Sequence, residues 1–156
     1  MQVFASYPLQ LEILAYTALA MLLGAVLGID REIAHKPAGL RTHMLVSGAS
    51  ALLVALGEII VQTFEAEPGH TMIRTDPLRI IEAVITGVSF LGAGTIIRNR
   101  ASDEVQGLTT AASLLLAAAV GVTVALSQLI LAIGITVLAL LTLRGMQLAT
   151  RWMERR

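Results

Sequence analysis

The sequence predicts an all-α, polytopic membrane protein of five transmembrane helices, and three observations carry that prediction. Of 156 residues, 56% are hydrophobic and only 14% are charged, against about 25% charged in an ordinary soluble domain. Mean hydropathy is +0.78. Charge-poor stretches recur at close to the ~20 residues that a helix needs to cross a hydrocarbon core of ~30 Å. The same composition excludes several functions. Eleven basic residues balance eleven acidic ones, whereas a nucleic-acid partner calls for a surplus of Lys and Arg to displace counterions. There is no Cys, so disulfides, thiolate metal sites and thiol redox chemistry are out. The partner that the composition implies is the lipid bilayer.

The first span covers approximately residues 11–29. Residues 1–10 carry no Lys or Arg and so lack the basic n-region of a cleaved signal peptide; this span is expected to be retained. The second covers 40–61, after a loop in which Pro37 and Gly39 set a turn. The third covers 77–97 and opens with Thr75-Asp76-Pro77, an N-cap followed by proline at the first helical position. Residues 108–143 are uncharged over 36 positions, too many for one crossing. Ser127-Gln128 is the natural break, giving a fourth span at 108–126 and a fifth at 129–146. Residues 147–156 form a short basic tail, and residues 1–156 make a single membrane domain.

Short cytoplasmic segments retain Lys and Arg. Arg31, Lys36, Arg41, Arg98, Arg100, Arg144, Arg151, Arg155 and Arg156 fall on one side, and only Arg74 and Arg79 on the other. That distribution places the N-terminus outside and the C-terminus in the cytoplasm. With the acidic residues included, the cytoplasmic side is net positive and the outer side net negative, and an acidic outer mouth favours cations.

The chain also resembles itself. An ungapped shift of 68 residues lays Leu23-Gly24-Ala25 on Leu91-Gly92-Ala93, Gly39-Leu40 on Gly107-Leu108 and Thr42 on Thr110. Such a match is expected for a parallel duplication of a two-helix hairpin plus a fifth helix, with an axis along the membrane normal. Two hairpins converging on the same small-residue packing would give a similar match.

Four groups of residues stand out. Gly24 and Gly28, and Gly92 and Gly94, let helix backbones approach closely; packing explains them better than a pore lining. Asp76, Arg79, Glu82, Thr86 and Ser89 follow at helical spacings along one face of the third span. Glu82 lies about 7–8 Å into that helix from Pro77, where a carboxylate needs a partner or a wet cavity. Arg79, one turn back, is the expected partner. An interfacial anchor and a cation or proton path both fit, and Glu82 and Asp76 are weak metal candidates. The first cytoplasmic loop carries Asp30, Arg31, Glu32, Arg41, Thr42 and His43. Its acidic members are not explained by topology, and either salt bridges within the loop or a docking surface accounts for them. His43 is expected as an interfacial residue. No phosphate-binding loop, HExxH or nucleophile–base arrangement occurs, and no enzyme is expected.

Gly28 to Val46 (GIDREIAHKPAGLRTHMLV), Asp76-Pro77-x-Arg79-Ile80, Thr86-Gly87-x-Ser89-Phe90-Leu91-Gly92-Ala93-Gly94-Thr95-Ile96 and Gly107-Leu108-Thr109-Thr110-Ala111-Ala112 form an ordered set. Over roughly residues 10–145 it resembles the MgtC/SapB family of bacterial membrane proteins. The resemblance implies a five-span inner-membrane protein linked to magnesium homeostasis, low-magnesium growth, stress and acid tolerance and intracellular survival. For some members it implies regulation of the F-type ATP synthase. Longer members carry a soluble domain after the last span, which makes this a short form. Glu82 stands where magnesium-linked members usually have Gln, which brings the chain nearer the SapB-like branch. Many members also have Trp near Leu115.

The combined expectation is a homodimeric inner-membrane protein with no cofactor beyond Mg2+ as a regulated or bound ion. It acts by regulating other membrane complexes. The alternative is a cation or proton transporter or channel, with its path along the third span around Glu82.

Overall fold

The computed structural model describes residues 7–65, 78–98 and 105–153. Five helices follow in order: α1 (Tyr7–Ile33), α2 (Leu40–Glu65), α3 (Leu78–Gly94), α4 (Leu108–Ala125) and α5 (Leu129–Met153). A small antiparallel ribbon, β1 (Ile97–Arg98) and β2 (Val105–Gln106), joins α3 to α4, with Ile97 opposite Gln106 and Arg98 opposite Val105. The protein is an all-α polytopic membrane protein. Three helices are long and apolar enough to cross a bilayer: α1, α2 over Leu40–Thr63, and α4. The apolar part of α5 is Leu129–Gly145, and α3 has 17 residues, or about 25 Å at 1.5 Å per residue.

α4 is the hub and touches each of the other four helices. Its sequence, LTTAASLLLAAAVGVTVA, is apolar all round, as a helix enclosed by others must be. Small residues set how closely those others approach. Without a hydrophobic force between helices in lipid, contact comes from shape. A Cβ added to Gly24 would lie 2.6 Å from the His43 carbonyl oxygen, and one on Gly28 would lie 2.6 Å from the Leu40 Cα. Gly121 of α4 meets the backbone of Ser47 even more closely. α2 is therefore held in backbone contact between α1 and α4.

Two helix ends use the same device. α1 closes with Lys36 N–H donating to the Arg31 carbonyl (3.0 Å) around His35 at φ 52°. α4 closes with Gln128 N–H donating to the Thr123 carbonyl (2.9 Å) around Ser127 at φ 58°. This is the Schellman arrangement with a non-glycine residue in the left-handed position. The uncharged block 108–143 is thus divided by a turn at 126–128.

The 68-residue shift reappears in space. α2 begins at Leu40 and α4 at Leu108, and each is preceded by a glycine whose carbonyl accepts the first helical bond, from His43 N–H (3.2 Å) and from Ala111 N–H (2.9 Å). Gly24 rests on His43, and Gly92 rests on Ala111 with a virtual Cβ 3.3 Å from its Cβ. Both contact partners are related by the same shift.

Substituting Gly24 by Ala should cost about 1–3 kcal/mol, because the new methyl group meets backbone rather than a side chain that can move. Gly134→Ala in α5, where a Cβ meets nothing within 4 Å, should leave stability unchanged or raise it by up to about 1 kcal/mol through helix propensity. Thermal unfolding of the two variants in detergent checks the contrast.

Candidate functional site

The structure separates the sequence's polar residues into a buried set and an outward set. The buried set begins at the end of α1. Asp30 and Arg31 are expected in a loop, but α1 runs on to Ile33 and carries both inside it, 5% and 2% exposed. A buried charge must be paired. Asp30 accepts from Arg31 Nη2 through Oδ2 (2.7 Å) and from Arg144 Nε of α5 through Oδ1 (3.0 Å). One carboxylate thereby ties α1 to α5 and holds two guanidinium groups. The Arg31 Nε is buried with no hydrogen-bond partner. Asp30 and Arg31 thus form a salt bridge within this segment, one of the two accounts expected for them, but it lies buried inside α1 as an interior anchor and not on a docking surface.

The rest of that segment divides by exposure. Glu32 is exposed, and its Oε2 accepts from the Leu40 amide (3.0 Å), capping α2 across the turn. Lys36 and Arg41 are exposed, and Thr42 is half-buried. His43, expected at the interface, is fully buried. The reason is Gly24, whose missing side chain opens room under the first turn of α2. The His43 Nδ1 lies 2.9 Å from the Gly39 carbonyl oxygen, which can only accept, so Nδ1 carries the hydrogen. The Nε2 lies 3.0 Å from Ser113 Oγ, and the Ser113 hydroxyl also reaches the Thr110 carbonyl at 2.8 Å. Further along α2, Ser50 donates to the Val46 carbonyl (2.8 Å), and the buried Ser47 hydroxyl has no partner. These residues form a packed seam between α2 and α4.

The outward set lies on α3. Arg79, Glu82, Thr86 and Ser89 are all exposed. Within this chain Glu82 faces neither its own bundle nor an internal wet path, and the expected pairing with Arg79 is corrected: no ion pair joins the two. The physical reason is the competing stripe Val84, Val88 and Gly92, the three buried residues of the helix. Residues 82 and 84 are ~200° apart around a helix of 3.6 residues per turn, so burying the valines turns Glu82 outward. The Thr86 hydroxyl donates to its own helix at the Glu82 carbonyl (2.7 Å). Gly92 packs as expected; Gly94 meets nothing within 4 Å. Asp76 lies outside the described residues. Among the described residues no group of three His, Cys, Asp or Glu side chains could hold a metal. Glu82 as a metal ligand therefore has no companion there.

Two openings flank these residues. α2 and α3 diverge and leave an apolar cleft of about 1040 Å³ between Leu53, Leu56, Ile60, Ile80, Val84 and Leu91, with Arg79 on its edge. At the opposite end, where Arg31, Lys36 and the β-ribbon meet, a second pocket of about 980 Å³ reaches the start of α4 and Thr142 of α5. Arg144 was the functional residue that sequence reasoning passed over, since it was read only as a topology signal. The one hint was Asp30, an acidic residue on a side otherwise dominated by basic ones.

The profile of the MgtC family matches residues 17–152. SapB of Bacillus subtilis is 37% identical over 110 residues, covering 70% of this chain and 46% of its own length. MgtC of Salmonella typhimurium is 36% identical over 134 residues, 86% of this chain and 50% of its own. YhiD of Escherichia coli, described as a candidate magnesium transporter, is 35% identical over 133 residues, 85% of this chain and 59% of its own. This chain thus spans about half the length of these curated relatives. No solved structure matches it.

Removing the Asp30 carboxylate leaves Arg31 buried and unpaired. Asp30→Ala should lower stability by on the order of 3 kcal/mol. Arg144→Ala removes a partner whose side chain is 61% exposed and should cost about 1 kcal/mol or less. Denaturation of both variants in detergent, alongside the native chain, reads the difference.

Proposed function

The chain belongs to the MgtC family, and from that premise we propose that it is a non-enzymatic protein of magnesium homeostasis that regulates another membrane complex. The names of the magnesium-related relatives MgtC and YhiD support the process. The observation that carries the mode of action is the placement of Glu82, Thr86 and Ser89 on the outer face of α3. A carboxylate held toward hydrocarbon is costly even this near the helix end, though less so than the roughly 2.5–3.5 kcal/mol of the bilayer centre. A partner helix offering a donor removes that cost. A polar face turned away from its own bundle is therefore a contact face. The seam inside the bundle does the opposite: Gly24 and Gly121 lie against α2, and His43, Ser47 and Ser113 are packed with no room for a hydrated path.

The membrane is the bacterial inner membrane. The basic end, with Arg31, Lys36, Arg41, Arg98 and Arg144, faces the cytoplasm by the positive-inside rule. The family resemblance names the F-type ATP synthase as the complex that α3 contacts. A homodimer through the same face is the competing arrangement, since Arg79 and Glu82 on one surface are self-complementary about a two-fold axis. Stress adaptation follows from regulating such a complex when magnesium is scarce.

In cells that depend on this protein for growth in low magnesium, Glu82→Leu and Ser89→Leu should abolish the benefit while the protein remains in the membrane at native levels. A photo-crosslinker at Ser89 should capture a subunit of another membrane complex. Proteoliposomes of the purified chain should carry no Mg2+ or proton flux. Flux that disappears in Glu82→Gln would establish the transporter instead, and cross-links to a second copy alone would remove the regulatory partner.

A further inference from the structure

The two halves of the repeat treat their helix starts differently. At α2 the protein's own Glu32 carboxylate sits on the helix N-terminus, its Oε2 3.0 Å from the Leu40 amide and packed over Gly39. At α4, 68 residues on, the N-cap is Gly107 in the left-handed region (φ 94°), and no side chain caps the helix. The first-turn amides of Leu108, Thr109 and Thr110 have no acceptor within the helix. These three residues line the pocket of about 980 Å³ at the basic end. The same pocket is lined by Arg31, whose buried Nε is without a hydrogen-bond partner and whose side chain is 98% enclosed.

We propose that this pocket is a recognition site for a phosphate ester, held between the N-terminus of α4 and the Arg31 guanidinium. An anion is the chemistry both elements ask for. The N-terminus of an 18-residue helix presents aligned amides and the positive end of a dipole. A buried guanidinium N–H without a partner in the chain is an unmet hydrogen bond of the kind a phosphate oxygen meets well. Asp30 does not cancel the charge, since one carboxylate is shared by Arg31 and Arg144. Lys36 and His35 line the mouth and are exposed. The volume lies at the top of the roughly 300–1,000 Å³ range of small-molecule sites, which argues for a phosphate carried on a larger body. Ile97, Val105, Leu108 and Leu143 on the walls give that body an apolar surface. A soluble phosphate ester and an anionic phospholipid headgroup share this chemistry.

The first half of the repeat supplies the control. A carboxylate built into the start of α4 should do there what Glu32 does at α2, and so compete with the ligand. The full chain is purified in a phosphate-free maltoside detergent and titrated separately with inorganic phosphate, AMP and dihexanoyl phosphatidylglycerol. Calorimetry and melting temperature are the two readouts. At least one of the three probes should bind saturably. Binding of phosphate or AMP identifies the soluble source, and binding of the short-chain lipid alone identifies the headgroup. Thr109→Glu, at an exposed position, should weaken binding about tenfold or more while leaving the unliganded protein at least as stable as the native chain. Lys36→Ala should weaken it several-fold and reduce its salt dependence. Arg31→Ala should abolish it where that variant folds. No saturable binding of any probe tighter than about 10 mM, or undiminished binding to Thr109→Glu, overturns the site.

Discussion

The structure depends on one constraint: α2 is gripped at backbone distance on two sides. Gly24 of α1 lies under the His43 carbonyl, and Gly121 of α4 lies against the Ser47 backbone. In a bilayer the surrounding lipid is as apolar as any leucine, so helices adhere through close fit and interhelical hydrogen bonds. Both are met on the same seam. Gly24 lets α1 lie against the His43 backbone, and the His43 ring reaches across to Ser113 of α4. Any side chain at Gly24 would push α1 away, uncover His43 and leave Ser113 without its interhelical partner. The seam therefore sets the position of α4, and through α4 the positions of α3 and α5.

From that grip follows the exposed character of α3. α4 gives α3 a narrow shelf, with Gly92 on Ala111 and the valines 84 and 88 turned inward. The contact of α3 with α2 is slight enough to leave the apolar cleft between them. A helix attached by one stripe keeps the remainder of its circumference free. On this chain the free part carries Arg79, Glu82, Thr86 and Ser89, so the most expensive side chains for a bilayer are on the least enclosed helix. At the basic end the opposite holds: Asp30 and Arg31 are enclosed and share their charge with Arg144 on α5.

Much of this was legible in the sequence, and what was not has a physical cause. The fold class followed from composition and from the length of the apolar stretches. Gly24, Gly28 and Gly92 were readable as close-approach positions because small residues have few other uses inside a membrane helix. The orientation of α3 was also present in the sequence, in Val84, Val88 and Gly92 at spacings of four. It went unread because the polar residues at 82, 86 and 89 form an equally regular stripe, and periodicity alone does not say which stripe turns inward. His43 and Arg144 were not legible by any local signal. The burial of the first depends on a glycine 19 positions earlier in the chain, and the role of the second on a carboxylate 114 residues away. The β-ribbon between α3 and α4 is two residues a side, too short to show an alternation.

The two hairpins can be compared position by position. The shift of 68 relates Gly24 on His43 to Gly92 on Ala111, a match that duplication and convergence on the same small-residue packing both give. Where the first copy has His43, which reaches Ser113, the second has Ala111, whose methyl group can make no such bond. α4, the second helix of the second copy, touches each of the other four helices and carries no side-chain cap at its start, whereas α2 is capped by Glu32. Closure in the first half therefore goes with openness in the second. In the first half the His43 ring is met by Gly39 and Ser113 and the Leu40 amide by Glu32, while Ser47 Oγ and Arg31 Nε are left without a partner. The polar groups of the second half, the α3 face and the α4 N-terminus, are left facing outward.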